Sequence, residues 1–426
     1  MLLLAISGIF WSQPWAPYVT PASVERMAFP LPEQPSIAVL PFENLSGDPE
    51  QDYFSDGFTE DIITTLSKQP RLFVISRNSA FTYKNKPVKV QEVAEELGVR
   101  YVLEGSIQRS GEQVRVNAQL VDAVTGRHVW AERYDRQMNE VFEVRDRLIF
   151  EIATELLVEL TEGEQVRLGL RYTESLEAWE HARRALIFLR RHNREGNSRA
   201  RELYQKALEI DPKYFPMWTE LGWTHWFEAR LGWTSSPRES LEEAIALANK
   251  TLEVDSGYGG AYRLLGATHL LKHEYDPAVD FQKKSIALDP SDAQASATYG
   301  FVLNYAGDPE EAIVQFQRAM RLSPYYPAWY LYNLGLSYHL AGQYDEAIKT
   351  LKQGIKRTPD NFFPHVRLAA VYSDLGRIDE ACTEAAEVLR TNPKFSIEAY
   401  SRASPFKDPA VTEHRINLLR QAGLPD

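Results

Sequence analysis

The chain has 426 residues, enough for two or three domains, and its 44% hydrophobic and 25% charged residues are typical of a soluble globular protein. The formal net charge of −12 argues against non-specific binding to nucleic acid. A single cysteine, Cys382, excludes an intrachain disulfide framework and a cysteine-based zinc site, but it does not identify the cellular compartment.

The N-terminus, residues 1–15, is apolar. Its apolar run of about eleven residues is shorter than the roughly 20 needed for a helix to cross a bilayer. No Lys or Arg precedes it, which is unusual for a secretory signal. A weak signal or anchor, the end of a spanning helix that starts outside this sequence, and a disordered terminus all remain open. We therefore expect membrane association, with the periplasmic face favoured and a cytoplasmic location as the alternative.

Residues 16–35 carry five prolines without hydrophobic periodicity, which predicts a linker. A domain over residues 36–166 then begins. We predict strands and helices in the order β-α-β-α-β-β-β, followed by a long helix, which implies a sheet with parallel pairs and then antiparallel hairpins. The predicted strands are Ser36–Phe42, Leu72–Ile75, Tyr101–Ile107, Val114–Val121 and His128–Tyr134, and the predicted helices are Ser55–Ser67, Val90–Leu97 and Phe142–Leu160.

The second half of the chain repeats itself. Six segments close at similar positions, with spacings of 44, 34, 34, 35 and 34 residues, at Pro212, Ser256, Pro290, Pro324, Pro359 and Pro393. A small residue lies twelve positions before each of these: Ala200, Ala244, Ala278, Ala312, Ala347 and Ala381. A second small residue lies twelve positions further upstream in four of them, at Gly266, Gly300, Gly335 and Ala369, and 22 positions upstream of Ala244 at Gly222. A period of 34 with these residue types resembles the tetratricopeptide repeat, a helix–turn–helix unit.

This resemblance implies six repeats over residues 175–395, followed by capping helices over 396–426. The fold class is thus α+β: a small mixed α/β sheet domain and an all-α superhelix. Apolar residues such as Leu265, Tyr299, Ala319 and Leu334 should form the core between stacked repeats. Ten additional residues between Trp226 and Leu241 should extend the turn between two helices without interrupting the stacking.

The stretches Ala38–Ser67 and Val99–Asp135 resemble the TolB-amino-terminal-like module of bacterial regulators. In that family the module commonly stands between an upstream effector and a tetratricopeptide array. The effector is often a class III adenylate cyclase or a winged-helix DNA-binding domain, and neither has a counterpart in this sequence. The resemblance therefore implies a chain without the effector's chemistry, and we predict no enzymatic activity and no cofactor.

Candidate chemical sites are few. Asn44–Asp48 lacks the glycine spacing and the Lys-Ser/Thr of a phosphate loop and is interpreted as a turn. An acidic group could cap helices and face solvent, or could bind a cation or a basic partner; it contains Asp48, Glu50, Asp52, Asp56, Glu60 and Asp61. His269 and His273 are spaced for a shared metal, but no third ligand is evident, so we predict no metal site.

Two further groups suggest binding surfaces. Eight basic residues against two acidic ones lie between Arg183 and Lys206, and this basic run could face solvent, dock onto the acidic group or bind an anionic partner. Its candidates are Arg183, Arg184, Arg190, Arg191 and Arg194. In the tetratricopeptide family, certain positions of the first helix face the concave groove. In this sequence those positions hold aromatic residues and one arginine, and aromatic residues dominate binding hot spots. They are Trp223, Trp226, Phe227, Arg263, Phe301, Tyr305, Trp329, Tyr332 and Phe363.

The sequence thus predicts a non-catalytic protein–protein interaction module, a sensor or scaffold that holds a protein or peptide in the repeat groove and does not bind nucleic acid. One alternative is the accessory region of an adenylate-cyclase or transcription-regulator system. Another is a small-ligand-binding α/β sensor domain. The oligomeric state is left open.

Overall fold

The computed structural model describes residues 19–156 and 172–426. The expectations for the apolar N-terminus, for the end of the helix predicted at Phe142–Leu160 and for the domain boundary at 166 fall outside these residues. The described parts form a mixed α/β sheet domain followed by a helical array, so the predicted fold class is confirmed. No helix among the described residues is long and apolar enough to span a membrane.

The α/β domain is built on one mixed sheet. The strand order is β3-β1-β4-β5-β6, with β2 also paired to β4. The strands β1 and β3, and β1 and β4, run parallel, whereas β4–β5 and β5–β6 are antiparallel, as predicted. The strands are β1 (Ser36–Val39), β2 (Glu43–Asn44), β3 (Phe73–Val74), β4 (Tyr101–Ser110), β5 (Gln113–Asp122) and β6 (Arg127–Gln137).

Helices cover both faces of the sheet, and they are α1 (Asp52–Ser67), α2 (Arg77–Ala80), α3 (Val90–Leu97) and α4 (Val141–Leu156). On one face, α1 and α4 enclose a core that includes Val114, Val116, Ala118 and Leu120, the inward positions predicted for β5. On the other face, α3 packs against a second core with alternate residues of the same strands, such as Val102 and Val121. Gly98 ends α3 in the left-handed conformation, which a C-cap glycine adopts without steric cost.

The described part of the predicted linker, residues 19–35, is not extended away from the domain. Val19 N–H donates to the carbonyl of Gly126 over 3.2 Å, and Ala22 N–H donates to Ala123 over 2.7 Å. Ser23 N–H and Arg26 both bond the carboxylate of Glu95 on α3. These backbone and carboxylate contacts make residues 19–35 part of the α/β domain.

Over residues 172–426, the array contains six antiparallel helix pairs. Their helices are α5 (Leu176–Leu189), α6 (Arg194–Ile210), α7 (Pro216–Arg230), α8 (Pro237–Val254), α9 (Gly259–Leu271), α10 (Tyr275–Leu288), α11 (Ala293–Ala306), α12 (Pro309–Leu322), α13 (Ala328–Leu340), α14 (Tyr344–Arg357), α15 (Phe362–Asp374) and α16 (Ile378–Thr391). First helices of successive pairs, such as α9, α11 and α13, contact one another more extensively than second helices do. The array therefore curves with its first helices on the concave side.

Small residues allow the two helices of each pair to approach. All six predicted alanines of the second helices are fully buried. At Gly335 on α13, an added Cβ would lie 2.6 Å from Leu351 Cγ on α14, so only glycine permits this crossing. The core positions Leu265, Tyr299, Ala319 and Leu334 are also buried, as expected.

The ten-residue insertion lies in the second pair. Helix α7 ends at Arg230 and α8 begins at Pro237, and the extra length is divided between this turn and a longer α8 of 18 residues. The neighbouring helices remain stacked, since α7 contacts α6 and α8 contacts α9. The insertion thus lengthens the turn without interrupting the array.

Candidate interaction surfaces

The first helix of the array is embedded in the α/β domain. Trp179 on α5 is 2% exposed and belongs to the core between the sheet and α1 and α4. Its ring lies edge-on to Phe54 at 5.3 Å and to Phe142 at 6.0 Å. Gly57 on α1 makes this approach possible, because an added Cβ would lie 2.8 Å from Trp179 and 2.6 Å from Arg183.

Two carboxylates of α1 receive the basic side chains of this helix. Asp61 Oδ2 accepts bonds of 2.9 Å from both Arg145 Nη1 and Trp179 Nε1, and Arg183 lies 3.5 Å from its other oxygen. Glu60 pairs with Arg190 at 2.6 Å and with Arg77 at 2.9 Å. We call Glu60, Asp61 and their arginines the interdomain ion-pair group.

The charges in the interdomain ion-pair group shift the pKa values of its members. Burial raises the pKa of Glu60, but the fields of Arg190, Arg77 and Arg183 outweigh it and bring that pKa down to about 2. Burial lowers the pKa of Arg183, and the nearby Asp61 outweighs burial and raises that pKa overall. Both groups are therefore charged and paired at neutral pH.

The remaining acidic residues of this region have local roles. Asp52 and Asp56 share Lys84 at 3.0 and 2.8 Å. Asp48 caps a short turn by accepting from the N–H of Glu50, which is itself exposed. Within the basic run, Arg184 lies over the ring of Tyr53, Arg191 lies over Phe188, and Arg194 is exposed at the start of α6.

A second contact joins the α/β domain to the turns between helix pairs. Ser291 Oγ donates to the carbonyl of Leu72 over 3.0 Å, and Ser291 N–H donates to Ser67 over 3.2 Å. Further along the array, Arg321 donates to the carbonyls of Leu97 and Gly98. The domain thus lies along one edge of the array from its first pair to the turn before α13.

An aromatic cluster lies on the first helices of pairs two and four, α7 and α11. We define it as Trp223, Trp226, Phe227, Phe301 and Tyr305. The rings of Trp223 and Trp226 are 5.4 Å apart, and those of Trp226 and Phe227 are 5.2 Å apart. Trp226 donates its indole N–H to the carbonyl of Ala267 over 3.1 Å and packs against the core that includes Phe301 and Tyr305.

Arginine side chains border this cluster. The guanidinium carbon of Arg263 lies 5.2 Å from the Trp223 ring, and that of Arg230 lies 5.9 Å from Phe301. Cations at these distances over aromatic rings are favourable. Arg263 is half-buried, and Trp223, Phe301 and Tyr305 are 9%, 9% and 3% exposed. The aromatic cluster therefore packs largely on itself and exposes only a narrow part of its surface.

Three predicted groove residues lie apart from this cluster. Tyr332 is 5% exposed and packs inside its own helix pair, because its ring lies over Gly354 and its hydroxyl bonds Thr358 of α14. Tyr332 therefore contacts its own partner helix, α14, instead of the aromatic cluster. Trp329 packs against Phe316 on α12 of the previous pair and against Tyr330 on its own helix. Phe363 stacks on Phe362 at the start of α15.

The two histidines considered as a metal pair have separate partners. His269 Nδ1 pairs with Glu274, and His273 Nδ1 is 2.8 Å from the hydroxyl of Tyr275. Within residues 19–156 and 172–426, no three histidine, cysteine or acidic side chains are grouped as metal ligands. Each of the two histidines therefore has its own hydrogen-bond partner.

A shallow concavity of about 520 Å³ lies on the open part of the sheet. It is lined by polar residues of β4, β5 and β6, among them Glu104, Asn117, Gln119 and Arg133. Ser106 Oγ accepts a bond of 3.0 Å from Asn117 across it. A small polar ligand would have room on this surface of the α/β domain.

Sequence reasoning missed the C-terminal residues that reach the aromatic cluster. Helices α17 (Ile397–Arg402) and α18 (Pro409–Gln421) pack on each other, and residues 403–408 connect them. The ring of Phe406 lies 4.7 Å from Tyr305. We call α17, residues 403–408 and α18 the C-terminal hairpin. A lone Pro-Phe-Lys between two helices gave no periodic signal that could have placed it.

Family models match parts of the chain. Tetratricopeptide repeat models match residues 292–360 and 338–403. A model described as "HilA/YgeH-like transcriptional regulator, second domain" matches residues 33–151, nearly the whole described α/β domain. The repeats predicted from the 34-residue period are thereby confirmed in the second half of the array.

Curated relatives match over limited lengths. A Rhizobium meliloti (strain 1021) protein named "Putative adenylate cyclase 3" is 50% identical over 182 residues, which is 43% of this chain and 31% of the relative. The "TPR repeat-containing protein YpiA" of Bacillus subtilis (strain 168) is 28% identical over 148 residues, 35% of this chain and 34% of the relative. The chain thus spans about a third of the length of these relatives.

Among solved structures, the anaphase-promoting-complex assembly Cut9–Hcn1 aligns with a TM-score of 0.45 and 21% identity, covering 67% of this chain and 47% of that one. YrrB, described as a TPR protein with an unusual peptide-binding site, aligns with a TM-score of 0.33 and 21% identity, covering 45% of this chain and 93% of that one.

Proposed function

We propose that this chain is a non-catalytic interaction module in which a tetratricopeptide array holds a protein partner on its concave side. The observation that carries the proposal is the aromatic cluster, which the first helices of pairs two to four bring together with Arg230 and Arg263 at its border. Aromatic and arginine side chains are the types that contribute most to interface affinity. The α/β domain, locked to α5, fixes the orientation of the first pair.

A site-specific photocrosslinker tests this assignment in the full chain. A photoreactive phenylalanine analogue replaces Arg263, which borders the cluster, and in a matched variant replaces Lys283, which is exposed on the second helix α10. We expect a discrete protein adduct from the Arg263 position in cells and none from Lys283. Adducts from Lys283 alone, or the same adducts from both positions, would contradict a partner on the concave side.

A second candidate is the accessory region of an adenylate-cyclase or transcription-regulator system. It is supported by the 50% identity to part of a protein named as an adenylate cyclase and by the HilA/YgeH-like match over residues 33–151. In this candidate the chain supplies binding and another polypeptide region supplies the chemistry. We expect purified chain to form no cyclic nucleotide above a no-protein control, and product formation would overturn the non-catalytic assignment.

The α/β domain carries a further part of the proposal. We propose that it is similar to the TolB-amino-terminal-like module, supported by the stretches Ala38–Ser67 and Val99–Asp135. A small-ligand-binding role would use the concavity between β4 and β6. A ligand-induced thermal shift that Gln119→Ala abolishes, and that Thr64→Ala on α1 leaves intact, would support that role.

Membrane association and localisation belong to the same proposal. Their support is the apolar composition of residues 1–15. Fractionation of cells with the tagged full chain checks this: recovery in the membrane fraction that depends on residues 1–15 is expected, and recovery independent of them would contradict it.

A further inference from the structure

The C-terminal hairpin lies on the concave side of the array. Its second helix, α18, packs against α15, the first helix of the last pair, with Leu418 and Leu419 buried in the core there. His414 Nε2 lies 3.1 Å from Asp374 Oδ1, and Arg415 Nη1 lies 3.4 Å from His339 Nδ1. Contacts from two first helices, α13 and α15, therefore anchor α18.

The connecting residues 403–408 reach back to pairs two to four. Arg230 Nη1 donates to the carbonyl of Ala403 over 2.7 Å, and Tyr275 Oη donates to the carbonyl of Phe406 over 3.0 Å. The N–H of Lys407 donates to the carbonyl of Tyr305 over 2.8 Å. All three bonds use the main chain of the segment, so the array could form the same bonds with a peptide of another sequence.

Side chains add selectivity to these main-chain bonds. The Phe406 ring contacts the ring of Tyr305 in the aromatic cluster. The guanidinium carbon of Arg415 lies 5.6 Å from the centre of the same Phe406 ring. Pro405, immediately before it, is buried. Lys407 Nζ lies 3.0 Å from Asp276 Oδ1, and both side chains are exposed. Such an exposed ion pair contributes little energy. The carboxylate of Asp276 nevertheless favours a basic residue over an acidic one at this position of the peptide.

We propose that the face formed by pairs two to four is a peptide-binding site occupied by the chain's own residues 403–407. Its external ligand is a peptide with an aromatic residue followed by a basic one, which binds by displacing this segment. The inference rests on the proposed function and specifies its partner. A tethered segment has an effective concentration in the millimolar range, so it suppresses peptides of ordinary affinity and sets a threshold for the partner.

A labelled peptide of the chain's own sequence from Arg402 to Ala410 is the probe, and fluorescence anisotropy is the measurement. The full chain is compared with a triple variant, Pro405→Ser, Phe406→Ala and Lys407→Ala, which keeps the length of the connection. We expect the triple variant to bind the probe at least about tenfold more tightly than the wild-type chain. The same peptide with Phe406→Ala should bind at least about tenfold more weakly.

A matched pair of tyrosine variants localises the site. In the triple variant, Tyr275→Phe removes the hydroxyl that bonds the carbonyl of residue 406, and we expect severalfold weaker binding of the probe. Tyr262→Phe removes a hydroxyl that bonds the carbonyl of Ser256, in the turn before α9, and should leave binding unchanged. Circular dichroism confirms that each variant is folded before its affinity is measured.

Three results would overturn the inference. In the first, the probe does not bind to the folded triple variant. In the second, the probe binds equally to the triple variant and to the wild type. In the third, the wild type is a dimer and the triple substitution dissociates it. The last result would assign residues 403–407 to a second copy. A failure here leaves the Arg263 crosslinking result untouched, so it is distinguishable from a failure of the proposed function.

Discussion

The indole N–H of Trp179, on the first helix of the array, donates a 2.9 Å hydrogen bond to Asp61 of the α/β domain. The same carboxylate oxygen accepts from Arg145 on α4, so one atom joins α1, α4 and α5. Asp61 thus serves both domains, and this makes the domains a single structural unit at this end of the array.

Replacing Trp179 with phenylalanine should lower the free energy of unfolding by about 1–3 kcal/mol, because the aromatic contacts remain but a donor to a charged acceptor is lost. Chemical denaturation of the full chain measures this. Trp218→Phe is the control, since that half-buried ring packs beneath Lys250 on the neighbouring helix α8. An equal loss in both variants would show that indole size, and not the bond to Asp61, decides the result.

Glu60 should make the stability of this unit depend on acid. Its pKa in the folded chain is about 2, below the ordinary value of 4.5, so its contribution is complete above pH 4.5 and is lost as the pH falls towards 2. At neutral pH, Glu60→Gln should cost roughly 3 kcal/mol. The difference in melting temperature between wild type and variant should shrink between pH 4.5 and 2, and a constant difference over that range would contradict the assignment.

The interface between the α/β domain and the array shows which structural features the sequence could not predict. Local patterns predicted every strand of the sheet except the two-residue β2, because alternation and turn residues act over short distances. The 34-residue period predicted the helix pairs and the six buried alanines. The basic run left three interpretations open, and only the three-dimensional structure brings Arg183 and Arg190 onto α1.

The aromatic positions show the same limit. The positions that face the groove in the tetratricopeptide family predicted that Trp223, Trp226 and Phe227, neighbours on one helix, lie together. The same positions also assigned Tyr332 to the groove. Tyr332 instead packs over Gly354, because a glycine on the partner helix leaves space for the ring. The space beside Gly354 exists only because the two helices of the pair lie together. The position of Tyr332 or of Gly354 within its repeat does not predict it.

Gly57 offers a direct test of how closely the two domains must approach. Alanine at this position would place Cβ 2.6 Å from Arg183 Cδ and 2.8 Å from Trp179 Cζ2, so α1 and α5 must move apart. We expect Gly57→Ala to destabilise the full chain by about 1–3 kcal/mol even though alanine favours helices. Thr64→Ala, at an exposed position of the same helix, should leave the melting temperature nearly unchanged; a stabilised Gly57→Ala chain would show that the contact is not tight.

The last prediction concerns the anchor of the C-terminal hairpin. Asp374 accepts a 3.0 Å bond from His339 Nε2 on α13 and lies 3.1 Å from His414 Nε2 on α18. The bond from His339, together with the charges of both histidines, holds the pKa of Asp374 at about 2 against the effect of burial. The carboxylate is therefore charged at neutral pH, and it bridges the array and the hairpin.

Asp374→Asn should loosen this anchor by about 1–3 kcal/mol, because an amide replaces a charged acceptor between two imidazoles. Hydrogen exchange at neutral pH should then show faster exchange of the α18 amides, with the α5 amides unchanged. Asp360→Asn is the control, since that carboxylate is exposed and its contact with Arg390, at 3.5 Å, is long. Burial lowers the pKa of His339, so the folded chain binds this proton less readily than the unfolded chain, and acid below pH 6.5 should weaken the hairpin further. Unchanged protection of α18 in Asp374→Asn would show that the apolar contacts of Leu418 and Leu419 hold the hairpin without the carboxylate.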